Sequence, residues 1–217
     1  LAGSPEEEAE LRESQKLLCQ DGFRAELIEN LPQHYINANF HIGVLLPDDG
    51  EIQPAQYVRQ CALRFQQRGL RIFEKSPVIE IQDGSEGVEC ICTKGRVSAQ
   101  VAIVCTNAQI ANLCPILKDK VDPVRGQMLS TSPVPPIFER PIYADHGYDY
   151  WRQCPDGRIV LGGWRNLDPD TEVGCDEILH PDIQTKMEGF LRRFEALQNI
   201  TIEHRWSGIM GFSYDGL

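Results

Sequence analysis

The sequence has 217 residues, of which 41% are hydrophobic, with a formal net charge of −11 and a pI near 4.9. This acidic balance argues against nucleic acid or an anionic membrane surface as a partner, because both require basic patches. No apolar run reaches the ~18 residues of a membrane span. The start, LAGSPEEEAE, is acidic and unlike a secretory leader. We therefore expect a globular, cytoplasmic protein.

Two helices are predicted in the first third of the chain. Ser4 precedes Pro5, and Glu7 lies three positions after Ser4, which is the capping-box pattern that begins a helix. Pro54 begins a second helix, in which apolar residues recur at helical spacing, and Gly69 ends it.

A β-meander is predicted next. A short strand at 71–75 is followed by extended runs at 78–83, 87–94 and 96–105, with Asp-Gly and Lys-Gly turn signals between them. The last run contains the apolar segment 101–104 and passes directly into small and polar residues. This pattern is typical of a strand that enters a buried sheet and ends beside a ligand.

Longer antiparallel strands and one amphipathic helix are predicted in the second half. The strands occupy 124–131, 143–153, 158–164 and 200–206, and the helix covers 181–198. One face of this helix carries its apolar residues, which are Ile183, Met187, Phe190, Leu191, Phe194 and Leu197. The predicted fold class is α+β, in which an antiparallel-sheet domain with helices is interleaved with part of an α/β domain that carries the meander.

The cysteines and histidines show no metal-binding pattern. No C-x-x-C motif exists among the eight cysteines, and Cys90 and Cys92 share one strand face, so reduced, buried thiols are favoured over a metal site. His146, next to Asp145, has the chemistry of a general base. The other histidines show no ligand spacing; they are His34, His41, His180 and His204.

Five segments, in order, resemble the D-amino-acid oxidase superfamily of FAD-dependent oxidoreductases, and most of all its glycine, sarcosine and γ-glutamylputrescine oxidase branches. They are PDDGEIQPAQYVRQCA, GRVSAQVAIVCTNAQIANL, PVRGQML, DGRIVLGGW and RWSGIMGFSYDGL. The glycine loop that would hold the phosphates is absent, because no two glycines are separated by a single residue. The family has this loop near its N-terminus and further flavin contacts near its C-terminus. The resemblance therefore implies an interior fragment of a flavoenzyme.

The same resemblance implies a division into domains and an activity. Residues 1–43 and 122–205 would form the substrate domain, 44–121 would belong to the FAD-binding domain, and 206–217 would return to it. The activity would be FAD-dependent oxidation of a C–N bond in an amine or amino acid. The flavin would carry the chemistry, with no catalytic side chain and no metal. The substrate partner would be a small molecule, and the oligomeric state stays open.

The resemblance also implies cofactor-binding residues. Val78 would contact the adenosine end of FAD through its backbone, and Gly208 and Asp215 would lie in the segment that passes the flavin ring. Four residues at the end of the predicted strand would line the ribose or pyrophosphate; they are Cys105, Thr106, Asn107 and Ala108. The alternative is an ordinary loop in which Asn107 is a local cap.

Substrate-binding residues are implied at Tyr148, Tyr150, Trp206 and Met210. Strand alternation predicts Tyr148 and Tyr150 on one face and Tyr143 on the other, and the alternative for these tyrosines is cross-strand packing. Met210 stands where amino-acid oxidases of the family often have an arginine that binds a carboxylate. This departure favours a neutral or cationic amine, which an acidic protein would attract.

Two other classes of protein stay open. One is a non-redox binding module derived from this fold, and the other is a nicotinamide-dependent reductase, which also requires a glycine loop. Arg125 is expected to pair with an acid at the junction of the domains rather than to bind substrate.

Overall fold

The computed structural model describes residues 1–85 and 87–215 of the chain. The chain forms two compact units. The first comprises Leu1–Asp49 and Arg125–Ile209, and the second comprises Gly50–Val124 and Met210–Leu217. The mixture of helices and antiparallel sheets confirms the predicted α+β class. That the first unit binds the substrate and the second unit binds the flavin stays a prediction.

Four α-helices and ten strands are found in the described chain. The helices are α1 (Pro5–Gln20), α2 (Gln33–Asn37), α3 (Pro54–Gln66) and α4 (Pro181–Leu191). The strands are β1 (Glu26–Ile28), β2 (Gly43–Leu45), β3 (Val78–Gly84), β4 (Gly87–Cys92), β5 (Gly95–Ala99), β6 (Val121–Thr131), β7 (Ile142–Ala144), β8 (Asp149–Gln153), β9 (Ile159–Gly163) and β10 (Ile202–Ser213). None of the helices in this part of the chain is long and apolar enough to cross a membrane.

Helix α1 begins with the predicted capping box. The Ser4 hydroxyl accepts a hydrogen bond from the Glu7 N–H at 3.2 Å, and the Glu7 carboxylate accepts one from the Ser4 N–H at 3.1 Å. Two N–H groups that have no partner within the helix are thereby satisfied. Pro5 at the first helical position contributes a preset φ angle.

The first unit is built around a five-stranded sheet in the order β10-β6-β9-β8-β7. One sheet face packs on α4 and forms the core, in which aromatic rings meet mainly edge to face. The Trp151 and Phe190 rings are 4.9 Å apart, and the Phe138 and Phe194 rings are 5.0 Å apart. All six residues predicted for the apolar helix face are buried.

The second unit contains α3 and the three-stranded meander β3-β4-β5. The helix begins at Pro54 as predicted, and the antiparallel meander is also confirmed. Among the described residues of this unit only Ala108 is buried, and α3 buries none of its residues. The apolar face of α3 is therefore left uncovered.

Two predicted strands of this region are wrong. Residues 71–75 form an irregular segment and a turn, and 101–104 belong to no strand. The side chains of Val101 and Ile103 are 74% and 85% exposed. β5 ends at Ala99, and no described strand pairs with the chain after it, so its N–H and C=O groups form no ladder.

The predicted strand at 143–153 is two strands. β7 and β8 pair in antiparallel fashion around the turn Asp145–Gly147, in which three successive residues have positive φ angles of 48°, 53° and 85°. This left-handed backbone reverses the chain. Helix α4 also ends before the predicted residue 198, because Phe194 has extended backbone angles that place its ring in the core.

All eight cysteines are free, but the prediction that they are buried is wrong. Cys19, Cys105 and Cys175 are exposed, and the other five are half-buried. Cys19 lies in α1, which buries none of its residues, and Cys105 follows the exposed segment 101–104.

Candidate functional site

A row of side chains crosses the sheet of the first unit on the face directed away from the core. Gly162 in β9 pairs with Met128 in β6 on one side and with Tyr150 in β8 on the other, and Tyr150 pairs with Tyr143 in β7. We call these four residues the aromatic row. The neighbouring row points to the opposite face and is buried; it consists of Leu129, Leu161, Trp151 and Ile142.

The aromatic row is closely packed because Gly162 has no side chain. An added Cβ would lie 2.5 Å from Tyr150 Cε2 and would also clash with Met128 Sδ. The Tyr150 hydroxyl donates to Met128 Sδ at 3.5 Å, and the Tyr143 and Tyr150 rings are 6.0 Å apart. Glycine within a strand often marks such a close approach. The result is a half-exposed surface of aromatic and thioether groups.

Tyr150 is a proton donor in this row. Burial raises the pKa of its hydroxyl, and the nearby Tyr143 raises it further, while Arg165 acts in the opposite direction. The hydroxyl therefore stays protonated at neutral pH. Tyr143 is 64% exposed, so this end of the row is open to solvent.

Trp206 and Gly208 lie on the same sheet face as the aromatic row. Arg205, which precedes Trp206 in β10, donates to Gln184 Oε1 of α4 at 2.9 Å, so it lies on the core face. Alternation then directs Trp206 and Gly208 to the other face. Trp206 is 39% exposed. Met210 belongs to the second unit and is half-buried.

The predicted orientation of the tyrosines is wrong. Tyr143 shares a face with Tyr150, because the turn Asp145–Gly147 places the two residues opposite each other in a hairpin. Tyr148 precedes β8 with helical backbone angles, so strand alternation does not set its direction. The Arg165 guanidinium lies 4.9 Å from the centre of the Tyr148 ring. Cross-strand packing, the alternative interpretation, describes the Tyr143–Tyr150 pair.

The candidate cofactor residues of the second unit are brought together in part. Asn107 has a φ angle of 50° and begins a short 3₁₀ helix, and its side-chain oxygen accepts a hydrogen bond from the Gly211 N–H at 2.7 Å. A Cβ on Gly211 would lie 2.9 Å from the Ala108 nitrogen. The residues after the segment 101–104 are therefore in close contact with the end of β10.

The other cofactor candidates have different surroundings. Cys105 and Thr106 are exposed and outside any strand, Asp215 is also exposed, and Val78 is half-buried in β3, where it pairs with Cys92. The exposed thiol of Cys105 and the exposed hydroxyl of Thr106 suit the oxygen-rich edge of a dinucleotide. The described residues thus fit some contacts of FAD, and the glycine loop for its phosphates is not in this sequence.

Sequence reasoning missed Met128, Gly162 and Arg165 as parts of this surface. The adjacent glycines in the strand pattern IVLGGW were the available signal, because glycine inside a strand indicates a close approach. The expectation for Arg125 was an acid partner, and Arg125 Nε does lie 3.7 Å from Glu172, within the first unit.

The fold is that of solved amino-acid oxidases and dehydrogenases. Glycine oxidase from Geobacillus kaustophilus superposes with a TM-score of 0.82 at 17% identity, covering 100% of this chain and 59% of that one. L-proline dehydrogenase from P. horikoshii gives 0.81 at 17% identity, covering 99% and 60%. The family model described as "DAO: FAD dependent oxidoreductase" matches residues 1–217. This chain belongs to the DAO family of FAD-dependent oxidoreductases, which confirms the resemblance found in the five segments.

Curated relatives agree with this assignment. The probable oxidoreductase OrdL of Haemophilus influenzae is 26% identical over 191 residues, which are 82% of this chain and 42% of that protein. Glycine oxidase of Bacillus subtilis is 23% identical over 222 residues, covering 100% of this chain and 57% of that protein. The chain spans about half the length of the curated relatives it matches.

Proposed function

We propose that this chain contributes to an enzyme that uses FAD to oxidise a C–N bond of an amine or amino acid. The observation that carries the proposal is the aromatic row, which lies on the sheet face opposite the core in a chain of an FAD-dependent oxidoreductase family. FAD, when bound, accepts a hydride from the carbon next to the substrate nitrogen. The side chains of the sheet orient that carbon and exclude water.

Tyr150 is the central positioning residue of this proposal. Its protonated hydroxyl donates a hydrogen bond to the thioether of Met128, and sulfur is a weak acceptor. A polar substrate atom can replace that contact with a stronger hydrogen bond. Tyr143 and Met128 then pack against the apolar part of the substrate. Trp206 and Tyr148 are further candidates for the walls of the pocket.

The substrate class follows from Met210 and from the net charge. Met210 occupies the position at which the resemblance leads us to expect a carboxylate-binding arginine, so we favour a neutral or cationic amine. The net charge of −11 also favours the approach of a cation. Amino acids stay in the proposal because two of the relatives are named glycine oxidase.

We assign the cofactor contacts to Val78, Cys105, Thr106, Asn107, Ala108, Gly208 and Asp215. The second unit leaves α3 without a buried residue, and the chain spans about half the length of its relatives. We therefore infer that this unit completes a flavin-binding domain with protein outside the present sequence. On this basis, the 217-residue chain alone binds FAD weakly or not at all.

The test uses the full-length gene product that contains this chain, reconstituted with FAD. Amines and amino acids are added without oxygen, and substrate oxidation is followed as loss of the visible flavin absorbance, so the natural electron acceptor is not needed. Tyr150→Phe is expected to lower the second-order rate constant of flavin reduction by substrate about tenfold, which corresponds to one lost hydrogen bond of ~1.4 kcal/mol. Tyr35→Phe is the control and should have no effect, because the Tyr35 ring packs on Phe138 and Phe194 of the core, on the sheet face opposite the aromatic row.

Other outcomes would identify the alternatives. Flavin that is reduced by a nicotinamide cofactor but by no amine or amino acid would favour the reductase. A full-length protein that binds no FAD would favour the non-redox binding module. Either result would overturn the proposed function.

A further inference from the structure

The first unit has a cleft of about 410 Å³ that the proposed function does not use. It lies where the start of α1 meets the turn between β7 and β8. Ala144 and Asp149 form a cross-strand pair in its wall, and Phe40 and Phe190 of the core also line it. The cleft is therefore on the core side of the sheet, opposite to the aromatic row.

Three side chains with metal-ligating atoms converge in this cleft. One donor atom each from Glu7, Asp145 and His146 lies within 4.8 Å of the other two. Two carboxylates and an imidazole form a donor set for divalent cations. The left-handed turn places Asp145 and His146 side by side, and α1 contributes Glu7 from its first turn.

Each of the three side chains is held by a second partner. His146 Nδ1 is 3.2 Å from Glu10 Oε2, and Asn166 Nδ2 donates to Asp145 Oδ2 at 2.8 Å. Glu7 Oε2 accepts hydrogen bonds from two backbone N–H groups at 2.9 and 3.1 Å. Such outer partners orient metal ligands and fix the histidine tautomer.

Asp149 provides an independent indication of a bound cation. Its side chain lines the same cleft and is only 9% exposed, and its Oδ1 is buried without a hydrogen-bond partner. A buried carboxylate oxygen without a partner is costly unless a positive charge lies nearby. Arg193 also lines the cleft and its positive charge acts on Asp149, but its guanidinium lies over the Phe40 ring and donates to the Ala38 carbonyl, so Asp149 Oδ1 accepts no hydrogen bond from it.

We propose that Glu7, Asp145 and His146 bind one divalent metal ion in this cleft, with Asp149 contributing negative charge from the wall. The mixture of oxygen and nitrogen donors suits Mn²⁺, with water molecules completing its coordination. The ion would join the first turn of α1 to the β7–β8 turn. It is a structural site, separate from the amine-oxidation chemistry.

The test measures Mn²⁺ binding to the metal-free 217-residue chain by the EPR signal of the free ion. Mn²⁺ is chosen because the eight free thiols of the chain prefer softer ions. We expect one ion per chain. His146→Asn removes a ligand and should weaken binding at least about tenfold, and Glu10→Gln, which acts only through His146, should weaken it by ~10-fold.

The control is His41→Asn. His41 Nδ1 lies 2.7 Å from Oε1 of Glu8, which is in α1 like Glu7. Neither His41 nor Glu8 belongs to the proposed metal ligands, so this variant should bind Mn²⁺ like the unmodified chain. Circular dichroism of each metal-free variant verifies folding, and Asp145→Asn is the replacement if His146→Asn does not fold, since asparagine tolerates the left-handed backbone. Absence of a stoichiometric site, or equal affinity in the ligand variants and the control, would overturn the proposal.

Discussion

Gly162 and Tyr150 face each other across β9 and β8, and the Tyr150 ring occupies the space that a side chain at position 162 would need. The ideal position of a Cβ atom on Gly162 lies 2.5 Å from Tyr150 Cε2 and 2.7 Å from Tyr150 Cζ. Neither ring atom can move away easily, because Tyr143 packs on the ring from β7. Because the side chain of Gly162 is only a hydrogen atom, the Tyr150 ring and its hydroxyl can occupy this position.

Gly162→Ala is expected to destabilise the protein by about 1–3 kcal/mol, which is typical of overpacking. The methyl group would displace Tyr150 and Met128 together. Urea unfolding measures the change in the free energy of unfolding. Gly208→Ala, in β10 of the same sheet, is the matched control, because nothing lies within 4 Å of a Cβ there. Equal stability of the two variants would show that the ring is not fixed in this position.

The parts of the fold that were predicted correctly are those with local signals. The capping box of Ser4 and Glu7 needs only four successive residues, and the apolar face of α4 needs only helical periodicity. The three strands of the meander are likewise joined by short turns that the sequence marks with glycine. Each of these features depends on neighbours in sequence, so one sequence is sufficient to predict it.

The errors occur where the structure depends on distant residues or on rare backbone angles. The apolar segment 101–104 has the composition of a buried strand, but a strand also needs a partner, and sequence pattern does not supply one. The positive φ angles of Asp145 and His146 reversed a run that alternation predicted to be straight. The aromatic row was missed for the same reason, since it joins four strands and the pairing of Tyr143 with Tyr150 depends on this turn.

The stability of the protein is expected to fall as the pH rises through neutrality because of Asp149. Burial, with smaller contributions from the charges of Asp145 and Glu7, raises the pKa of its carboxyl to about 7 against the opposing effects of the Trp164 N–H and Arg193. The folded-state pKa lies above the ordinary value of 3.8 for an aspartate carboxyl, so the folded chain binds the proton more tightly than the unfolded chain. The resulting stabilisation is complete below about pH 4 and is lost as the pH approaches and passes 7.

Asp149→Asn tests this linkage, because an amide does not titrate. The free energy of unfolding of the unmodified chain should fall relative to that of the variant between about pH 4 and 7, with a slope of at most about 1.4 kcal/mol per pH unit. Urea unfolding at several pH values, with a chelator present to exclude bound metal, gives this difference. If the free energy of unfolding changed with pH in the same way in the two proteins, the raised pKa of Asp149 would be contradicted.

Arg125 is expected to be a major contributor to the stability of the first unit. Its side chain and that of Glu172 are only 7% and 2% exposed, with 3.7 Å between Arg125 Nε and Glu172 Oε1. The guanidinium also donates to three backbone carbonyls of the segment 171–176, the shortest of these bonds being 2.8 Å. Arg125→Met would leave the Glu172 carboxylate buried without its cation, at a cost of about 3–5 kcal/mol.

Arg24→Met is the control for this prediction. Arg24 lies 2.9 Å from Asp48, but the two side chains are 64% and 66% exposed, so water screens the pair and its loss should cost at most about 1 kcal/mol. Urea unfolding of both variants is the measurement. A similar loss in the two would mean that burial does not strengthen the Arg125–Glu172 interaction.

Helices α3 and α4 are expected to differ widely in amide hydrogen exchange, although both are amphipathic. α4 buries five residues against the sheet, whereas α3 buries none. Local opening requires little free energy where few apolar contacts are lost, so the α3 amides of the 217-residue chain should exchange at least about tenfold faster. Mass spectrometry of peptides from each helix measures the rates. If the α3 amides were as protected as those of α4 and this protection disappeared on dilution, a second copy of the chain would cover α3. If the two helices were equally protected at every concentration, the prediction would be contradicted.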